Sequence, residues 1–132
     1  MKVKEKVEYK NKVLIVDDNS SIRVLLQHLV EEAGYQAVCL SNGEAAYHCL
    51  SNSSGDFEIA FVDLEMPVMG GIEVVRKIRS KGIFLPVIAM TAKVLEDSCS
   101  NYGMPGFDGL VTKPFTQNVI VHTIKRETER RV

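Results

Sequence analysis

Two rhythms of apolar and polar residues alternate along this chain. Short apolar runs fall at residues 13–16, 37–40, 59–62, 85–90 and 110–112. Each has strand length, and their near-continuous hydrophobicity predicts strands buried on both faces. Between them, apolar residues recur every three or four positions. Residues 20–33 carry Ile22, Leu25, Leu26, Leu29 and Ala33 at helical spacing, and Gly34 supplies a stop. Residues 42–50 read as a short helix ended by the polar loop 51–56. Residues 71–81 place Ile72, Val75 and Ile78 on one helical face, with Gly82 closing it. Residues 94–102 form a weaker helical pattern, cut short by Gly103 and Pro105. A terminal helix is expected over 117–131.

Five strands interleaved with five helices predict an α/β fold, a parallel sheet covered on both faces. Residues 1–11 stand outside this alternation as a charged N-terminal extension, and residues 12–132 form one domain. In open parallel sheets, ligands bind beyond the carboxyl ends of the strands. The residues there are unusually polar. The first run ends in Asp17-Asp18, the third in Asp63, the fourth in Thr91 and the fifth in Lys113.

Adjacent carboxylates at the end of a buried strand repel each other and lose hydration, so something positive must offset them. A hard divalent cation such as Mg²⁺, which takes oxygen ligands, fits that need. Lys113 would neutralise the remaining charge. Asp17 and Asp18 are then metal-holding groups, and Asp63 is the carboxylate left to face both metal and substrate. A carboxylate attacking a phosphoryl group gives an acyl phosphate. Lys113 and the cation would stabilise the oxygens in transfer, and the Thr91 hydroxyl could donate to one of them.

This set of motifs resembles the receiver domain of two-component response regulators and hybrid histidine kinases. The matching stretches are V-L-I-V-D-D-N at 13–19, F-V-D-L-E-M-P-V-M at 61–69, P-V-I-A-M-T-A at 86–92 and L-V-T-K-P-F at 110–115. The wording of the second and third is closest in style to hybrid-kinase receivers. The resemblance implies a flavodoxin-like sheet of order 2-1-3-4-5. It implies that Asp63 accepts phosphate from a phosphohistidine in a phosphorelay and that the protein then switches conformation. Asp18, Asp63 and the backbone carbonyl of Glu65 would ligate Mg²⁺, or Mn²⁺ in its place, with Asp17 acting largely through water. The Lys113–Pro114 bond is expected to be cis. Glu65 and Lys93 would flank the phosphoryl group and tune its hydrolysis. A histidine kinase or histidine phosphotransfer protein would dock near Val24 and Phe115. Such a domain is a phosphoacceptor rather than an enzyme with an external substrate. The other reading, an aspartyl-phosphate hydrolase of related topology, expects D-x-D, whereas Asp63 is followed by Leu64-Glu65.

The chain departs from the family pattern in three places. Leu110 stands where an aromatic switch residue is common, so Thr91 and the loop after it are expected to carry the change. Gly70-Gly71 replaces the usual Asp-Gly and removes a capping side chain. Gly103 and Pro105 shorten the fourth helix.

The remaining features are bland. A net charge of −1 gives no pull toward nucleic acid, and no apolar stretch is long enough for a membrane span. Without a signal-like segment, a cytoplasmic location is expected. Cys39, Cys49 and Cys99 lack C-x-x-C spacing and read as structural thiols. His28, His48 and His122 read as surface groups, and Met66, Met69 and Met90 as packing. Lys125, Arg126, Arg130 and Arg131, interleaved with Glu127 and Glu129, read as a solvated helix face.

Overall fold

The computed structural model describes residues 12–92 and 105–129. Five strands, β1 (Lys12–Val16), β2 (Gln36–Leu40), β3 (Phe57–Asp63), β4 (Val87–Thr91) and β5 (Gly109–Thr112), form one sheet. Every pairing is parallel and the order is β2-β1-β3-β4-β5, as expected. The helices are α1 (Ser20–Glu32), α2 (Gly43–Ser53), α3 (Gly71–Ser80) and α4 (Gln117–Glu129). A single 3₁₀ turn, Ser54–Asp56, follows α2. Four helices thus stand among the described residues; the one expected at 94–102 lies outside them, as do residues 1–11, Lys93 and Cys99.

Successive residues of a strand point to opposite faces. Leu14, Val16, Ala60, Val62 and Val87 pack on one side with Ala46 and Leu50 of α2 and Val74, Val75 and Ile78 of α3. Val13, Ile15, Ile59, Phe61, Ile88 and Met90 pack on the other with Leu26 and Val30 of α1 and Ile120 and Ile124 of α4. Covering both faces is why the strands read as unbroken apolar runs. Among the described residues, no helix is long and apolar enough to cross a membrane.

Helix ends follow local chemistry. Asn19 caps α1 by accepting from the backbone N–H groups of Ser21 (2.8 Å) and Ile22 (3.1 Å). Asn42 lies just before α2 rather than within it, and accepts from Ala45 N–H. Gly70 precedes α3 with no side-chain cap, as the glycine pair predicts. Gly34 and Gly82 turn the chain at φ +98° and +81° after α1 and α3.

Several expectations need correction. The buried stripe of α1 runs through Leu26 and Val30, while Leu25 is 40% exposed. On α3, Val74 takes the place expected for Ile72, which faces outward. β3 extends beyond 59–62 to Phe57 and Asp63, and α2 runs to Ser53 through what reads as loop. Leu85 and Pro86 precede β4 rather than open it. Phe115 is not a surface residue. It is 7% exposed and packs into the core formed with α1 and α4. Glu127 does not belong to a solvated face either. It is buried, with its Oε2 accepting from Arg126 Nε at 3.1 Å. Arg126 reaches the sheet because Gly109 leaves the space; a Cβ there would come within 3.1 Å of its Nη2.

Candidate functional site

The parallel register brings the strand ends level. Val16 lies beside Leu40 and Val62, and Thr91 beside Thr112. The residues that follow β1 and β5, and those that end β3 and β4, therefore converge at the carboxyl edge, where a parallel α/β sheet leaves its crevice.

Asp17 is the anchor of this edge and is fully buried. Its N–H donates to Leu40 O (3.2 Å), and its Oδ1 accepts from Asn19 N–H (2.9 Å). Its carbonyl accepts from Nη1 of Arg23, one turn into α1, at 2.8 Å. Its Oδ2 lies 2.8 Å from Lys113 Nζ. That contact is an ion pair, and a carboxylate oxygen has two lone pairs, so this buried oxygen keeps acceptor capacity. Asp63 ends β3, also buried, with its Oδ1 3.5 Å from the same Nζ. Oδ1 accepts from Glu65 N–H at 3.3 Å. Asp18 is exposed, and carboxylate oxygens of Asp17, Asp18 and Asp63 lie within 4.8 Å of one another. Thr91 is buried at the end of β4, and its carbonyl accepts from Lys113 N–H at 2.8 Å. The Lys113–Pro114 peptide is cis, as expected. All five polar residues anticipated at strand ends thus meet at one edge.

The electrostatics are unfinished. Burial, and then the Asp17 carboxylate, push the Asp63 carboxyl above the ordinary carboxylate range, against the Glu65 N–H and Lys113. Burial also works against the Lys113 ammonium, but Asp17 and Asp63 outweigh it and hold its pKa above the usual lysine value. Two buried carboxylates share one ammonium, and a third carboxylate lies close by. A divalent cation among the acidic oxygens would complete the set, and the buried Oδ2 of Asp17 with acceptor capacity to spare fits such an ion.

The loop from β3 to α3 frames the site tightly. Gly71 N–H donates to Leu64 O at 3.1 Å. A Cβ on Gly70 would meet Leu64 O at 2.6 Å, and one on Gly71 would meet Asp63 O at 2.5 Å. The glycine pair therefore does more than omit a cap, since it lets α3 start against the backbone of Asp63. Met69 N–H closes a tight turn onto Pro67 O (2.7 Å), with Val68 between them at φ +70°. Arg23 is the site neighbour that sequence reasoning missed. An arginine on a helix has no signature of its own, and the clue was its position one turn beyond the acidic pair.

The sequence pattern of the response regulator receiver domain matches residues 13–125. The chemotaxis protein CheY of Pseudomonas aeruginosa is 34% identical over 122 residues, covering 90% of this chain and 97% of that protein. The transcriptional regulatory protein PhoP of Bacillus subtilis is 34% identical, and the sensor histidine kinase RcsC of Escherichia coli 35%. The chain spans half the length of PhoP and 12% of RcsC. Among solved structures, CheY4 of Vibrio cholerae superposes with TM-score 0.78 at 29% identity, covering 89% of this chain and 98% of that one. The receiver domain of the sensor histidine kinase PA1611 of P. aeruginosa, solved with a magnesium ion coordinated in its active-site cleft, has TM-score 0.81 at 23% identity over 90% of this chain and 98% of that one. These likenesses do not favour the hydrolase reading. With the ordered motifs, the 2-1-3-4-5 sheet and this acidic edge, the chain belongs to the response regulator receiver domain family, the phosphoacceptor module of two-component signalling.

Proposed function

We propose that Asp63 accepts a phosphoryl group from a phosphohistidine. One observation carries the reading: Lys113 Nζ stands between the buried carboxylates of Asp17 and Asp63, while the exposed Asp18 completes a triad of oxygens within 4.8 Å. An oxygen of Asp63 forms a new bond to phosphorus. The phosphorus–nitrogen bond breaks, and its electron pair stays on the departing imidazole. Lys113 follows the charge onto the transferred oxygens, and the Thr91 hydroxyl donates to one of them. Asp18, Asp63 and the Glu65 carbonyl would hold Mg²⁺, with Asp17 bound through water. When present, the ion neutralises charge on the phosphoryl oxygens during transfer. Glu65, exposed beside the acceptor, would tune later attack by water.

The donor would be a helix of a histidine kinase or phosphotransfer protein lying on α1, in a cytoplasmic setting. Val24 is 67% exposed and Leu25 is also open, and with Ser20, Ser21 and His28 they line a hollow of about 580 Å³. Val24 and Leu25 make this hollow largely apolar, which suits the apolar face of an amphipathic helix. Phe115, being buried, takes no part in this contact. Val24→Glu should slow transfer from a protein donor and leave labelling by acetyl phosphate nearly intact. Equal slowing with both donors would show damage to the site instead.

Mass spectrometry after incubation with acetyl phosphate and Mg²⁺ tests the acceptor. The protein should gain roughly 80 Da, and Asp63→Asn should not. Full labelling of that variant, or undiminished labelling in excess EDTA, would overturn the proposal.

A further inference from the structure

We infer that Arg23 is a positioning residue for the metal-binding turn, acting through the Asp17–Asp18 peptide. This inference rests on the proposed metal site. Among the described residues, the Asp18 carboxylate has no hydrogen bond or ion pair, so its own backbone sets the positions that its rotamers can reach. The Asp17 carbonyl and the Asp18 N–H belong to one rigid planar unit, and that plane orients the Cα of Asp18. Arg23 Nη1 holds the carbonyl edge of this plane at 2.8 Å. The other groups of Asp17 are engaged elsewhere, its N–H by Leu40, Oδ1 by Asn19 and Oδ2 by Lys113. The Asn19 N–H bond to Oδ1 closes a turn around the following peptide, and the Arg23 hydrogen bond is the contact that holds that peptide's carbonyl edge directly.

A rival account treats Arg23 only as a charge near a cation site, and the two predict opposite signs. Removing a positive charge should tighten binding of a divalent cation, because like charges repel. Removing a positioning contact should weaken it, since groups that orient metal ligands typically contribute about 10- to 100-fold in affinity. Lysine keeps the charge but lacks the planar fork, so Arg23→Lys isolates geometry from field.

The test is Mg²⁺ titration of the full chain by calorimetry, with Mn²⁺ electron paramagnetic resonance as a second readout. Wild type, Arg23→Met, Arg23→Lys and Asp18→Ala are compared, and cooperative thermal unfolding is recorded for each. Arg23→Met should weaken Mg²⁺ binding about tenfold. Arg23→Lys should weaken it by a smaller factor despite its unchanged charge. If Arg23→Met fails to fold, weaker binding by a folded Arg23→Lys carries the result. Equal or tighter binding by folded Arg23→Met, or by Arg23→Lys where only that variant folds, overturns the inference. Asp18→Ala separates the two levels. If it loses Mg²⁺ while the Arg23 variants keep it, the metal site stands and the positioning role fails. If Asp18→Ala binds as tightly as wild type, the ligand set itself is wrong and the inference falls with it.

Discussion

Two cationic side chains sit at opposite ends of the sheet, and their surroundings differ in kind. At the amino end, Arg79 reaches from the last turn of α3 across to the starts of β4 and β5. Nη1 donates to the carbonyls of Ile83 (3.0 Å) and Leu85 (2.8 Å). Nε and Nη2 both donate to Gly106 O, at 3.0 and 2.6 Å, and Nη2 also meets Asp108 Oδ2 at 3.2 Å. That carboxylate accepts in turn from Val87 N–H at 2.9 Å. One positive charge faces one negative charge, and the guanidinium fork is filled by acceptors. At the carboxyl end, Lys113 is shared by two buried carboxylates with a third nearby. The first arrangement is closed and the second is open. A closed network ties segments together, whereas an open one keeps capacity for an ion and an incoming anion. The fold thus separates cohesion from chemistry along the strand axis.

The largest effect should come from breaking the closed end. Arg79→Ala would leave three carbonyls and the Asp108 carboxylate without their shared donor. The expected loss is about 2 kcal/mol, because the part-buried Ile83 and Leu85 carbonyls left unpaired carry a desolvation penalty. Arg79→Lys should recover less than half, since an ammonium cannot span the same fork. Urea unfolding with unchanged slope measures this. A loss below about 1 kcal/mol would place Arg79 among ordinary surface arginines.

The open end should respond in the opposite direction. Burial and Asp17 raise the Asp63 pKa above its unfolded value. An acid with a raised folded pKa favours the fold while protonated. Its cost appears as pH rises through the ordinary carboxylate range and is complete above the raised value. At neutral pH without divalent ions, Asp63→Asn should therefore stabilise the fold, on the order of 1 kcal/mol. Excess Mg²⁺ should then reverse the ranking. A ligand bound only by the folded state stabilises wild type by about 2.7 kcal/mol at a hundred times its dissociation constant. The variant, lacking one ligand charge, should gain less. Thermal unfolding with and without Mg²⁺ decides this, and a variant less stable than wild type in EDTA would contradict the frustrated-charge account.

The two ends were unequally legible in the sequence. The open end was readable because carboxylates closing apolar runs conflict with burial, and a conflict of that kind advertises itself. The order of motifs did the rest. Arg23 and Arg79 were invisible for the complementary reason: an arginine on a helix looks solvated until tertiary structure brings carbonyls to it. Helical phase failed at Leu25 beside Leu26, at Leu29 beside Val30 and at Ile72 ahead of Val74, where nearby apolar residues leave the stripe ambiguous by one or two positions. Phe115 reads as a surface platform beside the site, but its neighbours Leu26, Ile120 and Ile124 draw it inward. Glu127 shows the same limit from the polar side, since nothing local says that Gly109 makes room for its partner Arg126.

The smallest effect concerns the rim of the open end. Val68 is 97% exposed and holds φ +70° in the tight turn closed by Met69 N–H onto Pro67 O. Positive φ is unfavourable for a β-branched residue, and turns of this form are rare and strained. With so little of the side chain buried, almost no packing offsets that strain. Val68→Asn should raise stability by about 1 kcal/mol, because Asn adopts positive φ more readily than Val and keeps a side chain. Val68→Gly should gain less, since glycine also frees the unfolded chain. The two effects have different sources, so the order Asn above Gly above Val is diagnostic of strain. If both variants match or fall below wild type in urea midpoint, the turn stores no strain. If instead both stabilise the fold while Mg²⁺ affinity is unchanged, the strain is confined to the rim. Weaker Mg²⁺ binding in a stabilised variant would show that it helps hold Asp63 and the Glu65 carbonyl in place, so that the open end carries a cost in backbone conformation as well as in charge.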